Sequence, residues 1–232
     1  CRVLGPVLEG LELQAKGAWK LVKINVDENR ELSTQFKIQG IPAVKLFVDG
    51  REVDGFTGAL PDYQIQSWLD RHLPSEVEKA ISKLKEELTD NPEKVKQEAT
   101  ELLKEEDSKT LRLFLAELLI KDDPTRTLEL IDDFRPGDTD FDKAADVKAL
   151  AQLNLDEFEG ESPAKAFLNA ASKSMKEGDE ESVFESLVQA VTVDKSYAED
   201  LPRRACIAMF RQKGQKHPLT LKFRPRFDMA LY

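Results

Sequence analysis

The chain has 232 residues, 41% of them hydrophobic and 34% charged, with a formal net charge of −10. That is enough for one large domain or two ordinary ones, with a real core under a heavily charged surface. The acid excess argues against a nucleic-acid-binding surface and against adhesion to an anionic membrane, and no apolar run approaches the roughly 20 residues of a membrane span, so protein partners are expected.

Residues 1–16 carry Val3, Leu4, Val7, Leu8 and Leu11 at a spacing that predicts one apolar helix face. Trp19 to Val26 alternates and is rich in branched residues, which predicts a strand. A short helix is expected from Asn29 to Phe36. Strands are expected at Ala43 to Val48 and Glu52 to Phe56, flanking the hairpin signal Asp49-Gly50. Pro61 then opens a helix running through Leu73, with Ile65, Trp68 and Leu69 on one face. This order describes an α/β unit.

After Pro74 the strand signals stop. Val77, Ile81, Leu84 and Leu88 keep helical spacing, as do Leu111, Phe114, Leu115, Leu118 and Leu119. Asn91-Pro92, Asp123-Pro124, Pro136-Gly137, Ser162-Pro163, Gly178-Asp179 and Gly214 punctuate the remainder into about eight or nine helices, the pattern of stacked helical hairpins. The fold class expected is therefore an α/β domain over 1–73 followed by an all-α repeat domain over 74–232.

The segments CRVLGPVLEGL and KLVKINVDENRELSTQFKIQGIPAVKLFVDG, with the helix that follows them, resemble thioredoxin from its active-site helix to its C-terminus. The resemblance implies that Pro42, within GIPAV, follows a cis peptide bond, and that Gly40, Ile41 and Pro42 flank the family's substrate groove. It places Cys1 at the second cysteine of a Cys-x-x-Cys pair, a resolving thiol in the first turn of the active-site helix. The first cysteine position and the two opening strands would lie upstream, and the chain is expected to lack an N-terminal portion of that domain.

GDEESVFESLVQAVTVDKSY, Gly178 to Tyr197, resembles the second half of a tetratricopeptide repeat, with Val183, Leu187 and Ala190 at packing positions. Together with VDGFTGALPDYQIQSWLDRHLP and the final RFDMALY, the combination resembles the bacterial YbbN/CnoX co-chaperedoxin family. That resemblance implies a cytoplasmic holdase that binds unfolding client proteins. It would protect client cysteines by mixed disulfides and pass clients to chaperonin (GroEL-type) or the Hsp70 system. The alternative is a thiol–disulfide oxidoreductase whose repeats recruit protein substrates.

The tail concentrates Lys222, Arg224 and Arg226 among Phe223, Phe227, Met229, Leu231 and Tyr232, a local reversal of sign in an acidic chain. Residues 218–232 are expected to cap the last repeat. The resemblance implies a docking role on a chaperonin for Phe223, Arg224, Arg226, Phe227, Met229, Leu231 and Tyr232. Cys206, in LPRRACIAMF, reads as a small apolar core residue. Two cysteines in all suit a reduced, intracellular protein. His72 and His217 stand apart from any cysteine or carboxylate at ligand spacing, so no metal site is expected. With no phosphate-cradling glycine loop either, no cofactor is expected. The acidic stretches EKVKQEATELLKEEDSK and KEGDEES read as solvated helix faces.

Overall fold

A computed structural model describes residues 2–15, 17–48, 50–155 and 158–232. It contains two compact units, Cys1–Glu76 and Val77–Tyr232. Cys1 itself and Asp49 of the hairpin signal lie outside the described residues.

In the first unit, α1 (Leu4–Gln14) buries Leu4, Leu8 and Leu11. These residues pack into a cluster with Ile65, Trp68 and Leu69 of α3 (Asp62–Asp70). Between them come α2 (Arg30–Gln35) and the strands β1 (Ala43–Val48) and β2 (Arg51–Thr57). The strands pair antiparallel, Ala43 opposite Thr57 and Val44 opposite Phe56. The register shifts between Leu46 and Phe47, because Leu46 faces Asp54 while Phe47 faces Glu52, leaving Val53 as the extra residue of a bulge. Gly50 turns the hairpin at φ +76°, a backbone state glycine adopts without steric cost.

The strand expected over Trp19 to Val26 does not form: residues 20–25 have no regular structure and join no ladder among the described residues. Trp19 and Leu21 still pack on the apolar cluster, while Val22 and Ile24 are exposed. The alternation is suited to a sheet, but a strand exists only where a neighbour supplies N–H and C=O partners.

The second unit is all helical: α4 (Glu76–Glu87), α5 (Pro92–Glu105), α6 (Lys109–Leu119), α7 (Pro124–Leu130), α8 (Phe141–Leu153), α9 (Ala164–Glu177), α10 (Glu180–Asp194), α11 (Tyr197–Lys213) and α12 (Pro218–Ala230). Local chemistry sets many of the boundaries. Pro92, Pro124 and Pro218 sit in first turns, where the missing N–H costs nothing. Ser108, Asp123 and Asp179 accept backbone N–H groups of α6, α7 and α10. Gly178 ends α9 in the left-handed conformation at φ +81°. One core cluster runs through this unit, from Val77 of α4 to Phe227 of α12.

The start of α11 carries a backbone feature with no sequence signal. Ala198, Glu199 and Asp200 all have positive φ, from +50° to +60°. The turn is held by Tyr197, whose hydroxyl donates to the Glu159 carbonyl at 2.8 Å, and by Arg204 Nε, which donates to the Glu199 carbonyl at 2.9 Å.

Candidate functional site

Two surfaces hold the residues singled out from the sequence, one in each unit. In the first, the Ile41–Pro42 peptide bond is cis. Ile41 is 63% exposed at the bend leading into β1, and Gly40 and Pro42 are half-buried beside it. The far end of β2 closes against this bend. Gly58 N–H donates to the Pro42 carbonyl at 2.8 Å, and a Cβ at Gly40 would meet the Thr57 methyl at 3.5 Å. The result is an edge with one large apolar side chain, Ile41, presented to solvent. Cys1, the thiol expected next to this edge, lies outside the described residues.

Behind the edge is a polar cluster that the sequence reading missed. Asp54 of β2 accepts hydrogen bonds at Oδ2 from Trp68 Nε1 and His72 Nε2, both at 2.7 Å, and at Oδ1 from the Gly55 amide at 2.7 Å. His72 is thus not an isolated histidine, correcting the sequence expectation; its partner lies 18 positions away, beyond the reach of a local spacing argument. The Gly55 amide, followed by the indole and imidazole N–H groups, holds the Asp54 carboxyl below its ordinary range. An ionised carboxylate only accepts, so His72 carries a hydrogen on Nε2. The Trp68 ring also meets Phe56 edge-on, with centroids 5.0 Å apart. Among the described residues no group of three or more His, Cys, Asp or Glu could hold a metal ion.

In the second unit, α12 lies along α10. Phe223 and Phe227 are 0% and 1% exposed. Phe223 stacks on Phe184 with centroids 5.5 Å apart, and Phe227 meets Phe210 edge-on at 5.5 Å. Both had been expected to contact a partner; the structure instead spends them on the repeat core, so neither side chain is available while α12 is seated. Arg226 grips Glu185 through two hydrogen bonds of 2.6 Å each, Lys222 pairs with Glu181 one turn earlier, and Arg224 pairs with Asp228 at 3.0 Å. That bidentate pairing drives the Glu185 carboxyl down to about 2. Leu231 packs at the margin of the core, and its carbonyl accepts from Lys195.

What remains outside is a second apolar stripe. Leu221, Pro225 and Met229 follow at four-residue steps and are all exposed, with Tyr232 exposed just past the helix end. Of the residues expected to dock a partner, Met229 and Tyr232 face solvent, Arg224 is half exposed beside its Asp228 partner, and the others are buried or tied down. Cys206 is fully buried in α11, and burial pushes its thiol far above the ordinary range, which leaves it inert.

Comparison of the sequence with known proteins places the first unit. The thioredoxin family model matches residues 1–71. Thioredoxin 1 of Synechococcus elongatus is 38% identical over 73 residues, which span 32% of this chain and 68% of that protein. The chain belongs to the thioredoxin family. Thioredoxin 1 of Nostoc sp. is 37% identical over the same length, and thioredoxin 2 of Chlorobaculum tepidum 40%, covering 68% and 67% of those proteins. The tetratricopeptide repeat model matches residues 143–232. A thioredoxin domain is thus followed by tetratricopeptide-like repeats, and no helix among the described residues is long and apolar enough to cross a membrane.

Proposed function

We propose that the chain is a chaperone holdase and adaptor of the co-chaperedoxin type, resembling the YbbN/CnoX family and acting in the cytoplasm. The observation that carries this reading is the two-sided α12. One face is locked into the repeat core by Phe223 and Phe227, while Leu221, Pro225, Met229 and Tyr232 are presented to solvent on the other. A capping helix needs a polar outer face; an apolar stripe there has a use only when something covers it. The chaperonin, or the Hsp70 system, is the partner in this reading, bound helix-in-groove. Unfolding clients meet the thioredoxin domain at Gly40, Ile41 and Pro42, where exposed Ile41 offers an apolar anchor. Cys1 forms a mixed disulfide with a client cysteine already oxidised to the sulfenic acid: the Cys1 sulfur attacks the client sulfur and the sulfenic oxygen leaves as water.

Light scattering of a heat-denatured client tests the holdase role, with the chain's thiols free and then alkylated. Equal suppression of aggregation in both states supports capture by surface, with the thiols secondary. No suppression in either state refutes the reading. The identity to thioredoxins favours one other assignment, a thiol–disulfide oxidoreductase that recruits substrates through its repeats. Turnover of disulfides in insulin by the chain would favour that assignment.

A further inference from the structure

We infer that Asp54 is a positioning residue for the cis-proline edge, fastening the β1–β2 hairpin to α3 so that Thr57 and Gly58 are held against Gly40 and Pro42. The inference deepens the proposed function, since it rests on that edge being where clients bind.

Four observations carry it. The bulge at Val53 shifts the register beside Asp54, and Asp54 and Phe56, two residues apart on one face of β2, both meet Trp68 of α3. A bulge re-aims a side chain in this way; without it the position opposite Phe47 would fall one residue later. Second, three donors converge on Asp54: the Trp68 indole, the His72 imidazole and the Gly55 amide, each at 2.7 Å. A carboxylate with three donors from two elements is fixed in position and orientation. Third, Gly55 admits no side chain, because a Cβ there would come within 2.7 Å of the Val44 carbonyl oxygen and 2.9 Å of the Lys45 side chain. The hairpin therefore has no slack at the residue following the anchor. Fourth, only Phe56 and Thr57 separate this anchored pair from Gly58, whose amide makes the 2.8 Å bond to the Pro42 carbonyl. Displacement at Asp54 is thus delivered along a taut strand to the edge that frames Ile41.

The test uses the full chain and two readouts: amide hydrogen exchange at Gly58, and affinity for reduced, carboxymethylated α-lactalbumin, a permanently unfolded probe. Both are measured well below the melting temperature of each variant. Asp54→Ala is expected to speed exchange at Gly58 by about tenfold relative to the Val44–Phe56 ladder, and to weaken the probe several-fold. Asp54→Asn, which keeps an acceptor oxygen, should restore part of both. A merely structural role would instead raise exchange evenly through β1, β2 and α3. Should Asp54→Ala fail to fold, Trp68→Phe removes one donor while keeping the ring against Phe56, and the same shift is expected at smaller size. Unchanged exchange at Gly58 overturns the inference. Selective exchange at Gly58 with affinity unaffected by Ile41→Ser leaves the positioning role standing and sinks the client-edge reading. Affinity lost in Ile41→Ser but untouched in Asp54→Ala does the reverse.

Discussion

Replacing Phe223 with alanine asks whether α12 is part of the repeat core or a loosely held tail. The ring is 0% exposed and stacks nearly parallel, at 9°, on Phe184, which is itself fully buried and stacked on Phe210. Truncating such a ring loses its transfer free energy and leaves a cavity, together about 3–5 kcal/mol, within which the aromatic pairing is about 0.5–1.5 kcal/mol. The ion pairs along α10 cannot make up the difference, since exposed pairs contribute about 1 kcal/mol or less each. Set against typical domain stabilities of about 5–15 kcal/mol, Phe223→Ala should therefore weaken the whole second unit or release α12 from it. Urea unfolding followed by far-UV circular dichroism gives the total loss, and amide exchange along α12 tells the two apart. Met229→Ala, at a position 71% exposed, should by contrast change stability by less than about 0.5 kcal/mol. A loss below about 1 kcal/mol in Phe223→Ala, with α12 amides still protected, would refute the assignment of this face to the core.

Three further outcomes are expected. Gly55→Ala should destabilise the first unit by about 1–3 kcal/mol in thermal unfolding, because its Cβ would meet the Val44 carbonyl oxygen at 2.7 Å. Glu199→Gly should stabilise the second unit by about 0.5–1 kcal/mol in urea, since glycine relieves the left-handed strain at φ +58° and the side chain replaced is exposed. Glu185 has a folded pKa of about 2 against an ordinary 4.5. Its stabilisation is therefore complete above pH 4.5 and is lost as pH falls towards about 2. An Arg226→Met variant should lose that contribution at neutral pH and show a flatter acid profile in the same window.

What could be read from the sequence was whatever local chemistry decides. Asn91-Pro92, Asp123-Pro124 and Gly178-Asp179 mark helix boundaries because a cap or a left-handed glycine acts within a few residues. The hairpin and the apolar face of α3 were legible for the same reason. Trp19 to Val26 misled because alternation describes a surface suited to a sheet without supplying the neighbour. The Asp54 cluster was out of reach, its members being separated by 14 and 18 positions and made adjacent only by the packing of α3 on the hairpin. The left-handed turn at Ala198 to Asp200 gave no warning either, since none of its residues is glycine or asparagine and tertiary contacts hold it. In α12 the ambiguity was intrinsic: two apolar stripes run along one helix, and periodicity alone does not say which is inside.

The two exposed surfaces share one physical logic, and it bears on how a binding protein keeps apolar groups in water without losing its fold. Ile41, at the bend before β1, and Met229, on α12, each sit beside groups fixed by contacts independent of them. Beside the bend these are Gly58, bonded to the Pro42 carbonyl, and the hairpin that the Asp54 anchor and the Phe56–Trp68 pair fasten to α3; on α12 they are Phe223, Phe227 and the Arg226–Glu185 bridge. Neither Ile41 nor Met229 is needed for packing, so substituting either should alter binding with little change in stability. Along α12, anchors and contact residues thus divide cleanly. Exposed apolar side chains left over from poor packing would show no such division, because the neighbours of a badly packed residue would themselves be loosely held. On α12 the neighbours Phe223 and Phe227 are among the most buried side chains described, which favours selection for contact over tolerance of disorder on that helix.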